Sequence, residues 1–254
     1  MRDALLALPF GLAIGVLLGL VGGGGSILAV PILVYVLGEP VKRATTESLL
    51  IVGVTALVGA LAAARAGRVR WRVGLAFAAA GAATSVGGTA LNRLVSSHTI
   101  LLGFAVLLAA AAYGMLRRRP DRGSPSENTQ TPHWSRVAAA GAATGLLTGF
   151  FGVGGGFVIV PALALTLGLP MTLAIGTSLL VIALTSASAL AAHLASGGIN
   201  IGLAAAFTAA ALVGALVGTR LHGHVPETRL RQVFASLLLA IAVFLIAKNT
   251  TALV

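Results

Sequence analysis

Cysteine is absent from this 254-residue chain, which excludes disulfides, thiol nucleophiles and cysteine-ligated metals. Charge is scarce as well. Asp, Glu, Lys and Arg together make up 9% of the residues, against about 25% in a soluble domain, where a water-facing surface needs them. Acids are the rarest part of that, six against 17 Lys and Arg, so no carboxylate pair or acidic cluster exists for acid–base or metal chemistry. His222 and His224 flank a glycine beside Arg220; two histidines without further ligands read as a solvated connector rather than a metal site.

What is abundant is hydrophobic: 57% of the residues, with a mean hydropathy of +1.01. Too few polar side chains remain to coat a globule of this size, so lipid must do the covering, and about eight or more apolar segments fit the length. The formal charge of +11 raises the question of nucleic acid, but the arginines cluster in short connectors. Arg65, Arg68, Arg70 and Arg72 form one group, and Arg117, Arg118, Arg119 and Arg122 another. That is the pattern of cytoplasmic loops under the positive-inside rule, and no nucleic-acid partner is expected. Arg2 precedes an apolar run with no small-x-small cleavage site, which predicts a retained membrane segment.

The expected fold is an all-α polytopic membrane protein. Apolar blocks cover 4–21, 26–37, 45–64, 73–94 and 100–116, then 137–151, 157–167, 172–195, 201–219 and 230–247. Between the two groups lies a polar stretch, 117–136, with Pro120, Ser124, Pro125, Ser126 and Pro132. The expected organisation is therefore a first transmembrane half, 1–116, a basic linker, 117–136, and a second half, 137–254.

The halves repeat one another. At an offset of about 130 residues, Gly15, Gly19, Gly22, Gly24 and Gly25 match Gly145, Gly149, Gly152, Gly154 and Gly155. Pro31 matches Pro161, Gly38 matches Gly168, Pro40 matches Pro170, and Ser48-Leu49-Leu50 matches Ser178-Leu179-Leu180. Between Gly15 and Thr55 about 17 of 41 positions are identical, too many for shared alanine and leucine content.

Each half carries a glycine run inside an apolar segment: Gly22, Gly23, Gly24 and Gly25, then Gly152, Gly154, Gly155 and Gly156 around Val153. Each glycine costs a helix interior about 1 kcal/mol relative to alanine, and Pro31 and Pro161 each remove a helical hydrogen bond. Both runs are expected to break the helix, line a cavity and hold substrate, because unwound backbone at membrane depth survives only where protein or water satisfies it. Close helix packing is the competing use of glycine, and it is the one expected of Gly11, Gly15 and Gly19, which sit four apart.

Thr45, Thr46, Ser48, Thr177 and Ser178 follow the breaks and are further candidates to hold an anion's oxygens. The competing reading is back-bonding to helix carbonyls. Glu47 is the one acid inside an apolar block. It is a candidate coupling or gating residue, with protons as the coupling ion, unless it sits at the headgroup level beside Lys42 or Arg43.

The doubled pattern Gly-x-x-x-Gly-x-x-Gly-x-Gly-Gly with its trailing Pro and Gly-x-Pro resembles the TauE/SafE family, over nearly the whole chain. The resemblance implies a secondary transporter of small, often sulfur-containing anions such as sulfite and organosulfonates. It marks Gly22, Gly24, Gly25 and Pro31, with Gly152, Gly154, Gly155, Gly156 and Pro161, as motif positions. Glu47 departs from the second copy, which has Thr177.

A carrier exporting its anion across the cytoplasmic membrane by alternating access is expected; a passive anion channel and a membrane subunit of a sulfur-compound system are the rivals. No nucleotide-binding motif, cofactor motif or enzyme constellation is present in the sequence, and self-association is left open. If each glycine-rich segment goes in and out of the membrane, loops 65–72, 117–136 and 220–231 share a side with about 12 basic residues against 5. The halves are then inverted, with both termini outside. If each crosses once, the count is about 11 against 6.

Overall fold

Runs of Ala, Leu, Val and Gly with no polar partner in reach can close their backbone hydrogen bonds only within the segment, so they wind into helices. The computed structural model describes residues 2–92, 94–95, 97–117, 133–151, 156–193, 199–222 and 225–251, and the regular structure among them is helical. The first half holds α1 (Arg2–Val21), α2 (Ser26–Tyr35), α3 (Val41–Arg65), α4 (Trp71–Asn92) and α5 (Ser97–Arg117). The second holds α6 (Trp134–Phe151), α7 (Gly156–Pro161), α8 (Met171–His193), α9 (Ile201–His222) and α10 (Glu227–Thr251). Most of linker 117–136, and Gly152, Gly154 and Gly155, lie outside the described residues.

By length and composition, the segments Arg43–Arg65, Met171–Ala191 and Ile201–Leu221 suffice to cross a membrane. Large apolar side chains such as Leu57, Val86, Val106, Val213 and Val243 face outward, as a lipid-covered surface requires. Helices α3, α4 and α5 begin at 41, 71 and 97, and α8, α9 and α10 at 171, 201 and 227. The offset of 130 thus continues well past the stretch where identities are dense.

Glycine contacts fix the direction of each pairing. Gly11 lies against Phe207, Gly15 against Ala211 and Gly19 against Ala215. Both numbers rise together, so α1 and α9 run parallel, their backbones close because these positions lack a Cβ. In the same way Gly141 lies against Phe77, Gly145 against Gly81 and Gly149 against Ser85, so α6 and α4 run parallel.

At the centre the order reverses. Gly53 meets Ser186, Gly59 meets Leu179 and Gly176 meets Ala63, so α3 and α8 are antiparallel. Against α9, Gly59 of α3 faces Thr219 and Glu47 meets Asn200, which makes α3 parallel to α9 and hence to α1. The chain between α1 and α3 therefore turns back on itself. It turns at Gly22, whose φ of 79° favours glycine. A tight 3-10 turn, Gly23–Gly25, follows and leads into α2.

With short connectors after α3, α4, α8 and α9, these directions gather Arg65, Arg68, Arg136, Arg220 and Arg229 at one end of the bundle. Arg43, at the start of α3, lies at the other.

Candidate functional site

The two glycine-rich segments touch. A Cβ on Gly23 would fall inside the Gly156 backbone, and one on Gly156 would come 2.5 Å from the Ser26 hydroxyl oxygen. A Cβ on Gly22 would lie 2.7 Å from the Ser178 hydroxyl and 3.1 Å from Val160. Gly22, Gly23, Ser26, Gly156 and Ser178 therefore form one cluster between the halves. The helix break is narrower than the glycine count predicts: it is concentrated at Gly22, and Gly23–Gly25 already form a turn of helix. Gly24 and Gly25 serve packing, Gly24 against Leu237 of α10 and Gly25 against Ile14 and Leu18 of α1.

The hydroxyls near the breaks are mostly satisfied locally. Ser26 donates to the Gly23 carbonyl at 2.6 Å, Ser48 to Thr45 at 2.9 Å and Ser178 to Ile175 at 2.7 Å, the back-bonding that serine commonly adopts in lipid. Ser178 still presents its oxygen toward Gly22. Thr46 is buried, and Pro31 and Pro161 sit within α2 and α7, the second running into a wider π turn, Ala162–Thr166.

Glu47 and Thr177 do not join that cluster. Both tether the start of another helix. Glu47 Oε1 accepts the backbone N–H of Asn200 at 2.8 Å, just before α9. Thr177 Oγ1 accepts the backbone N–H of Arg70 at 3.1 Å, just before α4. Residues 47 and 177, and 70 and 200, are each related by the offset of 130, so a carboxylate and a hydroxyl fill the same capping place in the two halves. Glu47 is fully buried, and its Oε2 has no hydrogen-bond partner among the described residues. Asn200 extends this tether by donating its side-chain amide to Glu39 at 3.1 Å.

Sequence reasoning missed one feature, a cavity of about 450 Å³ at the arginine-bearing end, lined among others by Arg65, Arg68, Arg220, Thr172 and Thr219. A closing Schellman turn at the end of α3 positions Arg68. Gly67 takes φ 69°, and the Arg68 N–H reaches back to the Ala63 carbonyl at 2.9 Å. Arginines in connectors read as membrane-orienting charges, and nothing in their spacing signals that three of them share a cavity. Among the described residues no group of three or more His, Asp or Glu could hold a metal.

Comparison with known proteins supplies the family. The sulfite exporter TauE/SafE family matches residues 7–245. A probable membrane transporter protein of Xylella fastidiosa (strain Temecula1) is 32% identical over 258 residues, covering 100% of this chain and 98% of the relative. Another from Bacillus subtilis is 30% identical over 236 residues, covering 84% and 86%. A third, from Methanocaldococcus jannaschii, is 26% identical over 264 residues, covering 96% and 97%. The chain belongs to the sulfite exporter TauE/SafE family.

Proposed function

We propose that this protein is a multi-pass secondary transporter of the cytoplasmic membrane that moves a small anion, sulfite or an organosulfonate, by alternating access. The observation that carries this reading is the meeting of the two glycine-rich segments, Gly23 against Gly156 with Ser178 at Gly22, beside central helix α8. Backbone that leaves a helix at membrane depth is where transporters place substrate.

The halves, 1–116 and 137–254, are two copies of one unit in inverted orientation. In support, α3 and α8 occupy equivalent places in the offset of 130 yet run antiparallel, and α1–α9 and α6–α4 repeat one glycine contact pattern. The cavity at the arginine-bearing end and the Glu39–Asn200–Glu47 tether at the other fit a state open to one side. Rocking of the bundles would exchange which end is open. The basic end is cytoplasmic by the positive-inside rule, which puts both termini outside. An anion leaving a negative interior gains about 2.3 kcal/mol per charge per 100 mV, so the membrane potential favours export. Glu47, buried at the opposite end, is the coupling or gating group.

Uptake of radiolabelled sulfite into proteoliposomes, with taurine and sulfoacetate as competitors, tests the reading. Saturable flux with counterflow is expected, and Gly22→Val should abolish it by forcing a side chain at positive φ onto Ser178. Gly38→Ala, also at positive φ but with nothing within 4 Å of the new Cβ, should cost about 1 kcal/mol of stability and leave flux intact. Absence of sulfite flux in folded protein would remove sulfite as substrate; flux without saturation or counterflow would mean a channel.

A further inference from the structure

The arginines at the basic end are not all alike. Arg72 stacks over Trp134 at 5.5 Å and Arg117 over Tyr113 at 5.3 Å, the placement expected of charges at a membrane rim. Arg65, Arg68 and Arg220 instead line the cavity of about 450 Å³ together with the side chains of Thr172 and Thr219. Among the described residues that line it there is no Asp or Glu. We propose that this cavity is a loading site for a small oxyanion, bound there before it enters between Gly22 and Gly156. The proposal rests on the transporter reading for its role in transport, though not for the binding itself.

Several observations converge on this. Guanidinium groups offer planar, forked donors that match sulfonate, sulfite or carboxylate oxygens, and they keep their charge at any working pH. The volume lies within the about 300–1,000 Å³ typical of small-molecule sites. Three elements deliver the three charges: the last turn of α3 (Arg65), the Schellman turn after it (Arg68) and the last turn of α9 (Arg220). Thr172, in the first turn of α8, lines the same space, while the Met171 N–H at the start of that helix is taken by the Glu227 carboxylate.

The cavity also adjoins the glycine cluster. Ile175 is among its lining residues, and the same side chain would lie 3.4 Å from a Cβ on Gly22. Ile175 is thus common to the cavity lining and to the surroundings of the break. Finally, the repeat does not duplicate the site. Shifting Arg65, Arg68 and Arg220 by 130 gives Ala195, Gly198 and Ala90, so a site of this composition is encoded for one end only. Such a site lowers the apparent KM from that end and leaves the transport equilibrium unchanged, since it binds the anion without altering either bulk solution.

The absence of native cysteine makes a direct test clean. Thr172→Cys, or Ala62→Cys should the first variant fold poorly, places a single thiol in the cavity of the full-length protein in nanodiscs. Its reaction is compared with an anionic and a cationic methanethiosulfonate of similar size, with methanesulfonate as the competing oxyanion. Normalised to free cysteine, the anionic reagent should react about tenfold faster than the cationic one, and methanesulfonate should slow it. Arg68→Gln and Arg220→Gln should each reduce that preference several-fold, and Arg68→Lys should retain most of it. A preference near unity, or one that neither glutamine variant moves, overturns the proposal, even if saturable sulfite flux is seen. A preserved preference in protein that carries no flux keeps the oxyanion site and overturns the transport reading instead.

Discussion

Glu47 and Thr177, 130 residues apart, show how one kind of tether can be built from two different side chains. Each accepts the N–H that opens a neighbouring helix, and for that a hydroxyl suffices, as Thr177 demonstrates. A carboxylate in the same place brings a titratable group with one oxygen unpaired, where burial makes an uncompensated charge expensive. The excess over what capping requires is the reason to assign Glu47 a coupling role. Among the described residues its charged and titratable neighbours are Arg43, one turn earlier on α3, and Glu39, reached through Asn200. Glu47→Gln keeps an acceptor for Asn200 and deletes the proton site, so its transport rate should lose pH dependence while the protein stays folded. Glu47→Ala should also lose the cap, at a cost of about 1 kcal/mol. A Glu47→Gln pH profile matching that of the parent protein would reduce Glu47 to a cap.

At the scale of elements, sequence spacing reveals which residues pack but not on what. Gly11, Gly15 and Gly19 are legible as a close-packing face, and the structure uses them so, against α9. That α9 is the partner is not legible, because every apolar block presents the same mixture of Ala, Leu and Gly, and lipid exerts no hydrophobic bias among them. The pairing of residue 47 with 200 and of 177 with 70 was within reach, since both obey the offset of 130, but identities thin out after Thr55 and hide it. The contacts of Gly24 and Gly25, with α10 and α1, were hidden for a related reason: only their neighbours in the fold reveal them. The α1–α9 and α4–α6 contacts are counterparts, so Gly15→Leu and Gly145→Leu should behave alike. Each drives a side chain into the facing backbone, at Ala211 or Gly81, and should destabilise the fold by at least the about 1–3 kcal/mol of core overpacking. Thermal unfolding in detergent measures this, with Gly38→Ala as the mild reference; a melting temperature for either variant equal to that reference would contradict the close helix contact.

For the whole molecule, orientation follows from one local fact. Because α1 and α3 both run parallel to α9, the chain from Gly22 to Pro40 must return it to the side on which α1 began. On the proposed reading, that return makes the number of passes in each half odd, which would place the start of the second half opposite the start of the first. The same parity would put the loops 65–72, 117–136 and 220–231 on one side with about 12 basic residues, against about 5 on the other. Had the glycine-rich segment crossed only once, α1 and α3 would be antiparallel and the halves would share one orientation. Single-cysteine labelling in intact cells separates the two arrangements. A cysteine appended after Val254 should react with a membrane-impermeant maleimide from outside. Ala66→Cys, in the exposed connector between α3 and α4, should react only after the cells are opened. The reverse order, with the terminus reactive only from the cytoplasm, would overturn the orientation, and with it the assignment of the arginine-lined cavity to the cytoplasmic face.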